Sequence, residues 1–279
     1  MPKAPVKHQV AAEPRIRRGY FESRFGQLHV HNAIPPGGGF DEATSLICLH
    51  ATPRSGDSLV PLMSLMGSDR SVYVPDLPGY GHSDGPSRPP TIADYTDAVQ
   101  DFCTSMRFRQ IDILGYQVGA LAAAELALTL PKIVRRVVLI GVPVPAEPEK
   151  DAFRRAPWPV QPAADGSHLL TEWKRLQESV HAGTSLDTVA QVCGEILRNG
   201  PKAWWGLNAA MHYAAAERLP LLTQPVLLLR AKDERLGTSR ARDLLPKARS
   251  TDLTDLHGLD LFEATAPTLV PVLRDFLKG

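Results

Sequence analysis

The sequence predicts an α/β fold: a doubly wound, mostly parallel sheet with an inserted helical cap. Short apolar runs typical of buried strands alternate with amphipathic stretches of helical length. This alternation stops in the middle of the chain and resumes near its C-terminal end. The 279 residues are enough for one large domain with an insertion and a full hydrophobic core.

The first half of the chain carries the clearest alternation. Residues 20–34 are predicted to form a hairpin around Gly26, because LHVHNAI alternates with a period of two. Further strands are predicted at residues 45–50, 71–75, 111–114 and 137–141. Helices between them are predicted at residues 57–66, 91–106 and 118–130, where apolar residues recur at helical spacing. Strands separated by helices in this way pair in parallel through right-handed crossovers.

The second half is interrupted by a block without a convincing strand, in which helices are predicted at residues 169–180 and 186–197. All four tryptophans fall in this block: Trp158, Trp173, Trp204 and Trp205. The alternation resumes with a strand at 225–230, a helix at 239–248, a strand at 251–256 and a helix at 268–278. We therefore predict a core of residues 16–143 and 220–279, a helical cap at 144–219, and a frayed segment at 1–15.

Composition and charge exclude several classes of protein. The chain has 31 Lys+Arg against 30 Asp+Glu, a net charge of +1, which supplies no basic footprint for nucleic acid. Its longest apolar runs are about half the roughly 20 residues that span a membrane, and no secretory signal is visible at the start. The three scattered cysteines fit neither a disulfide framework nor a CxxC metal site. We expect a cytoplasmic protein without a nucleic-acid or membrane partner, and the oligomeric state is open.

Five short motifs follow predicted strands, at the edge where parallel sheets place their sites. They are HATP at His50, DLPGYGHSD at Asp76, GYQVG at Gly115, KDER at Lys232 and LHGLDLFE at Leu256. In order and spacing these motifs resemble the α/β-hydrolase fold superfamily, in its branch of esterases, C–C hydrolases and epoxide hydrolases. The resemblance covers almost the whole chain, and DLPGYGHSD is its most specific element.

The resemblance implies a nucleophile at the centre of GYQVG, where the family's G-x-S-x-G motif holds a serine on a strained turn. This chain has Gln117 there, between Gly115 and Gly119. The amide nitrogen shares its lone pair with the carbonyl, so a neighbouring histidine cannot turn it into a nucleophile. It can still donate and accept hydrogen bonds. Covalent routes through Ser, Cys or Asp are therefore excluded at this position.

The resemblance also implies a general base and an acid that orients it. His257 follows the last predicted strand, where the family places its base. The acid is Glu234 by register or Asp233 by residue type, and either could stabilise the imidazolium. The alternatives are a structural role for the histidine and two solvated charges for the acids.

The implied oxyanion hole uses the amide of Val118 and that of Thr52, or of Ala51 after a one-residue slip. Where the family has His-Gly, this chain has His50-Ala51, and the extra methyl group narrows the loop. We expect His50 to hold loops together by hydrogen bonds rather than to act in catalysis.

Three aromatic residues are candidates for binding a substrate: Trp204, Trp205 and Tyr116. The tryptophans would line an apolar pocket between the cap and the sheet. Core packing of a small helical lid explains them equally well.

Three functions are compatible with these residues. The first is a hydrolase-like enzyme on a small, ester-type carbonyl substrate, with His257 activating water. The second is a lyase, decarboxylase, isomerase or cofactor-independent oxygenase that uses the same base, and the third is a catalytically silent ligand-binding protein. The retained base favours the first two. No metal site or nucleotide-binding glycine loop is visible in the sequence, so no cofactor is implied.

Overall fold

A computed structural model describes residues 13–37, 43–156, 161–231, 240–253 and 260–278. The described strands are β1 (Arg15–Ser23), β2 (Gly26–Ile34), β3 (Ala43–Leu49), β4 (Arg70–Pro75), β5 (Ile111–Tyr116), β6 (Val134–Ile140), β7 (Val226–Ala231) and β8 (Arg249–Leu253). They form one eight-stranded sheet in the order β1-β2-β4-β3-β5-β6-β7-β8. The hairpin β1–β2 joins the sheet antiparallel to β4, and the pairs from β4 to β8 are all parallel. The predicted mostly parallel sheet is confirmed.

The described helices are α1 (Val60–Met66), α2 (Ile92–Ser105), α3 (Val118–Thr129), α4 (Glu147–Arg155), α5 (Ser167–Gln177), α6 (Leu186–Arg198), α7 (Trp205–His212), α8 (Ala215–Arg218), α9 (Ala241–Leu244) and α10 (Leu261–Leu277). They cover both faces of the sheet. In β5, Ile113 packs with α2 and α3, whereas its neighbour Leu114 packs with α1 and α10. This two-sided burial explains why every residue of β5 is buried.

The segment between β6 and β7 contains helices α4 to α8, and its described residues include no strand. Helices α5 and α6 form a hairpin with a small core of their own, built by Leu176, Val189, Val192, Cys193 and Ile196. Helix α7 instead packs into the main core through Ala209 and Ala210. The described residues of this segment are helical, as the sequence predicts, and we call residues 144–219 the cap. Within the described residues no helix is both long and apolar enough to cross a membrane.

The largest differences from the predicted element boundaries concern three elements. Strand β1 begins at Arg15, at the end of the segment expected to fray. The helix predicted at 239–248 is reduced to α9 before Pro246, because proline removes a backbone donor and interrupts a helix. The closing helix begins at Leu261 rather than at residue 268 and continues through Pro267 and Pro271. Its first two turns are buried in the core, and this burial outweighs the hydrogen bonds lost at the prolines.

Candidate active site

The turn between β5 and α3 is the strained elbow that the GYQVG motif predicts. Strand β5 ends at Tyr116 and α3 begins at Val118, with Gln117 between them at φ 49° and ψ −115°. Such a backbone conformation costs a non-glycine residue roughly 1–3 kcal/mol. It is held by two hydrogen bonds of 2.9 Å, from the Gln117 N–H to the Ile140 carbonyl and from the Ala120 N–H to the Gln117 carbonyl.

The two glycines of the motif let the strand, the helix and the loop after β3 approach closely. A Cβ atom on Gly115 would lie 2.2 Å from the Gly119 carbonyl oxygen. One on Gly119 would lie 2.3 Å from the Leu49 carbonyl oxygen and 2.6 Å from that of His50. Helix α3 therefore begins directly against the loop after β3, which carries Thr52 and its implied oxyanion amide.

The Gln117 side chain is turned toward its neighbour Tyr116, with 3.4 Å between Gln117 Nε2 and the Tyr116 hydroxyl oxygen. The Tyr116 ring is 4% exposed and packs edge-on against Phe262, the second residue of α10, at a centroid distance of 5.6 Å. Tyr116, a candidate for binding substrate, thus lies mostly in the core and presents its hydroxyl group to Gln117. Through Tyr116, the elbow is in contact with the first turn of α10.

The two implied oxyanion residues lie on adjacent elements. Val118 is the first residue of α3, so its amide has no acceptor within the helix. Thr52 is buried beneath the cap, since a Cβ on Gly206 of α7 would lie 2.0 Å from Thr52 Oγ1. The Gly206 N–H also donates to the Tyr80 hydroxyl oxygen at 2.7 Å. Helix α7 thereby covers the loop after β3, residues 50–55, which we call the Thr52 loop.

His50 holds two loops together, as the sequence predicts. Its Nδ1 lies 2.9 Å from the Ala51 carbonyl oxygen, and its Nε2 accepts from the Leu77 N–H at 2.8 Å. These partners assign the proton to Nδ1, because only a deprotonated Nε2 can accept from an amide. Complete burial lowers the pKa of His50 and favours this neutral form. With both nitrogens occupied, His50 acts as a structural residue.

Asp76, at the start of DLPGYGHSD, is a buried carboxylate that organises the loops beneath the site. It accepts hydrogen bonds from the Gly56 N–H at 2.7 Å, from His29 Nδ1 at 2.8 Å and from the His82 N–H at 2.9 Å. Burial alone would raise its pKa, but these bonds stabilise the ionised form and lower the pKa of Asp76 to about 2. The partner His29 carries no signal in the sequence, because it lies on the edge hairpin.

The same group offers three potential metal ligands, since donor atoms of His29, Asp76 and His82 lie within 4.8 Å of one another. Both Asp76 oxygens, however, already accept hydrogen bonds from N–H groups. An Arg198 nitrogen also lies 3.2 Å from His82 Nε2, and a guanidinium this close repels a second cation. The arrangement fits a hydrogen-bonded support better than a metal site.

We expect Asp76→Asn to destabilise the protein by roughly 2–4 kcal/mol at pH 7, because it removes the charge that three donors surround. The folded-state pKa of about 2 lies below the ordinary value of 3.8. The ionised form therefore stabilises the fold above pH 4, and this contribution is lost as the pH falls toward 2. Urea unfolding between pH 7 and pH 3 measures both effects. Asp151→Asn, at an exposed position, is the control, and equal losses in the two variants would contradict the prediction.

Two further buried charged residues lie beside the candidate site and were not singled out in the sequence. Arg54, in the loop after β3, pairs with Glu195 of the cap and with Glu263 of α10. Asp260, at the start of α10, accepts from His181 Nδ1 at 2.9 Å. Asp260 lies within the LHGLDLFE motif, but the partners of both residues are distant in sequence, so the sequence does not indicate these contacts.

Three predicted site residues, His257, Glu234 and Asp233, lie outside the described residues, as does Trp158. The structure brings Gln117 and Val118 together at the elbow, with the Thr52 loop against it. The roles of His257 and of the two acids stay predictions.

The tryptophans of the cap pack against other parts of the protein. Trp205 is 8% exposed and belongs to the main core, where a Cβ on Gly79 would lie 3.2 Å from its ring. Lys202 Nζ lies 5.2 Å from the centroid of the same ring. Trp204 is half-buried, 6.4 Å from the ring of Phe153 in α4. For Trp205 this arrangement corresponds to the core-packing alternative.

Comparison with known proteins identifies relatives across most of the chain. A family model described as the alpha/beta hydrolase fold matches residues 44–251. The chain is 27% identical over 231 residues to a pimeloyl-(acyl-carrier protein) methyl ester esterase of Shewanella woodyi, covering 76% of this chain and 85% of the esterase. It is also 28% identical to an uncharacterized protein of Mycobacterium tuberculosis over 90 residues, which span 32% of this chain but only 26% of that relative.

Solved structures share the fold at lower identity. The enol-lactonase from Burkholderia xenovorans LB400 superimposes with a TM-score of 0.76 at 17% identity, covering 94% of this chain and 100% of the lactonase. At this identity the likeness concerns the fold alone.

Proposed function

Because the chain belongs to the α/β-hydrolase fold family, we propose that it is a hydrolase-like enzyme that cleaves a small ester-type substrate without a covalent intermediate. The observation that carries the proposal is the backbone of Gln117, which has φ 49° at the elbow although its side chain cannot attack a carbonyl. Strain of this kind persists where the surrounding structure enforces it, and it concentrates at functional sites. We infer that the elbow retains a role in positioning.

In the proposed reaction, His257 takes a proton from a water molecule, whose oxygen attacks the ester carbonyl to give a tetrahedral intermediate. The collapse of this intermediate breaks the bond to the ester oxygen, and the protonated His257 returns its proton to the leaving alcohol, so that the products are a carboxylic acid and an alcohol. Glu234 or Asp233 orients His257 and stabilises its cation. The amides of Val118 and Thr52 would stabilise the oxyanion. The close contact of α3 with the loop after β3 supports this role, because it brings the two amides to adjacent elements. Gln117 would donate a hydrogen bond to the substrate or accept one from the water through its side-chain oxygen.

The proposed substrate class rests on two lines of support. One relative is a methyl ester esterase by name, and that name denotes a substrate with an ester carbonyl. Next to the elbow, the Tyr116 ring packs against that of Phe262, and such apolar surroundings suit an uncharged group better than an ion.

We expect the wild-type protein to hydrolyse at least one member of a panel of methyl esters, lactones and activated aryl esters. His257→Ala should lower the turnover by about 100-fold, the usual contribution of a general base. His212→Ala, at an exposed histidine of the cap, is the matched control and should leave turnover unchanged. Initial rates of hydrolysis, measured by pH-stat or absorbance, compare the wild type with the two variants.

Two outcomes would contradict the proposal. Turnover that survives His257→Ala would remove the base from the mechanism. A wild-type protein that binds panel members in a thermal-shift assay, yet hydrolyses none above the buffer rate, would be a ligand-binding protein.

A further inference from the structure

The α5–α6 hairpin of the cap makes direct polar contacts with the backbone of the loop that carries Thr52. Glu195 of α6 accepts a short hydrogen bond from the Ser55 N–H and lies 2.5 Å from Arg54 Nε. Asn199, just after α6, donates from Nδ2 to the Pro53 carbonyl oxygen at 2.5 Å. The cap therefore contacts three consecutive residues next to the implied oxyanion amide.

The same hairpin contacts the segment that leads from β8 into α10. His181 and Thr184 lie in the connection between α5 and α6, and both donate to the carboxylate of Asp260. The distances are 2.9 Å from His181 Nδ1 and 2.5 Å from Thr184 Oγ1. Asp260 is 1% exposed and follows His257 by three residues. The cap therefore also contacts the residue that precedes α10, three positions after the proposed base in sequence.

Arg54 connects the two contact regions. Its guanidinium lies between Glu195 of the cap and Glu263 in the first turn of α10, at 2.5 and 2.7 Å. The Arg54 side chain is 5% exposed and that of Glu195 is 10% exposed. Removing one partner from a buried ion pair leaves the other charge without compensation, so this network responds strongly to single substitutions.

The core side of the Thr52 loop is held separately. The Gly56 N–H donates to Asp76, and His50 bridges to Leu77. Residues 53–55 lie between these two anchors, and the side-chain contacts described above attach them to α6. Glu195 and Asn199 therefore supply side-chain contacts to all three residues of this stretch.

We propose that the α5–α6 hairpin is the positioning element of the active site, and that Glu195 is its principal positioning residue. The hairpin holds residues 53–55 and Asp260 at the same time, so that docking of the hairpin and assembly of the oxyanion hole are coupled. The catalytic consequence rests on the proposed function, whereas the ordering of the loop by Glu195 does not.

The test compares Glu195→Gln with Gln191→Ala, an exposed residue one turn earlier on the same helix. Hydrogen exchange followed by mass spectrometry on the full chain measures loop order directly. We expect the peptide covering residues 52–58 to exchange about tenfold faster in Glu195→Gln, since the variant loses a charge-assisted hydrogen bond to the Ser55 amide. Gln191→Ala should match wild type. If Glu195→Gln fails to fold, Asn199→Ala removes one neutral bond to the same loop and should raise its exchange in the same direction.

Turnover on the ester panel supplies the second measurement. In Glu195→Gln we expect kcat to fall about 10- to 100-fold with little change in KM, because a displaced oxyanion donor weakens the transition state more than the bound substrate. Absence of wild-type turnover contradicts the proposed function but leaves the exchange result to decide on Glu195. Unchanged exchange at residues 52–58 in both Glu195→Gln and Asn199→Ala would overturn the positioning role.

Discussion

Gln117→Ser is expected to create a serine that reacts with fluorophosphonate probes and to raise hydrolysis of activated esters by about 100-fold or more over wild type. Position 117 already has the backbone of a nucleophile elbow, with φ 49° and its hydrogen bonds to Ile140 and Ala120. A serine there would need only a base within reach, and His257 is the proposed one. Mass spectrometry of the labelled peptide and initial rates measure the two effects.

The controls for this experiment are wild type and the double variant Gln117→Ser/His257→Ala. Wild type should remain unlabelled at position 117, because it has no hydroxyl or thiol group there. The double variant should lose most of the gain. Labelling of wild type at Ser55 or Thr52 would contradict a mechanism without a covalent intermediate. A folded Gln117→Ser variant that neither reacts nor hydrolyses would show that the base or the oxyanion amides are placed differently from the proposal.

Gly119→Ala is expected to destabilise the protein by about 3 kcal/mol or more, the upper range for overpacking. Its methyl group would lie 2.3 Å from the Leu49 carbonyl oxygen, and both the helix and the strand are backbone that cannot rotate away. This clash is relieved only if α3 moves away from the loop after β3. The same movement would separate the two implied oxyanion amides. Urea unfolding monitored by circular dichroism measures the loss.

The matched control is Gly194→Ala in α6, where a Cβ would meet nothing within 4 Å. Alanine is a better helix former than glycine, so this variant should gain about 0.5–1 kcal/mol. If the free energy of unfolding of Gly119→Ala lies within 1 kcal/mol of that of wild type, α3 does not approach the end of β3 as closely as described.

The sequence by itself determined the architecture and the chemistry of the elbow. Apolar runs and helical spacing reflect which side chains of a segment face a core. Each strand and helix carries its own pattern, which can be identified without knowledge of distant residues. The motif from Gly115 to Gly119 likewise encodes its own turn, since only glycine permits the close approach at its two ends. That Gln117 cannot be a nucleophile follows from the amide group alone.

Local rules were insufficient where packing competes with them. Proline disfavours the interior of a helix, and the closing helix is predicted to begin only at residue 268, yet α10 runs from Leu261 to Leu277 through Pro267 and Pro271. The buried face of its first two turns, with Leu261, Phe262 and Ala266 in the core, decides the outcome. The total apolar area that is buried is a property of the folded molecule. The free energy gained from this burial can exceed the cost of an unfavourable local helix propensity.

Only the tertiary structure decided which buried charges meet. Arg54 lies 141 residues from Glu195 and 209 from Glu263 in sequence, and Asp76 lies 47 from His29. Nothing in the sequence around any of these residues indicates which partner it meets. A charge is stable in the interior only beside a partner, and which partner it meets depends on how the cap docks and on where the edge hairpin joins the sheet. The support for the candidate site therefore comes from contacts that exist only in the folded protein.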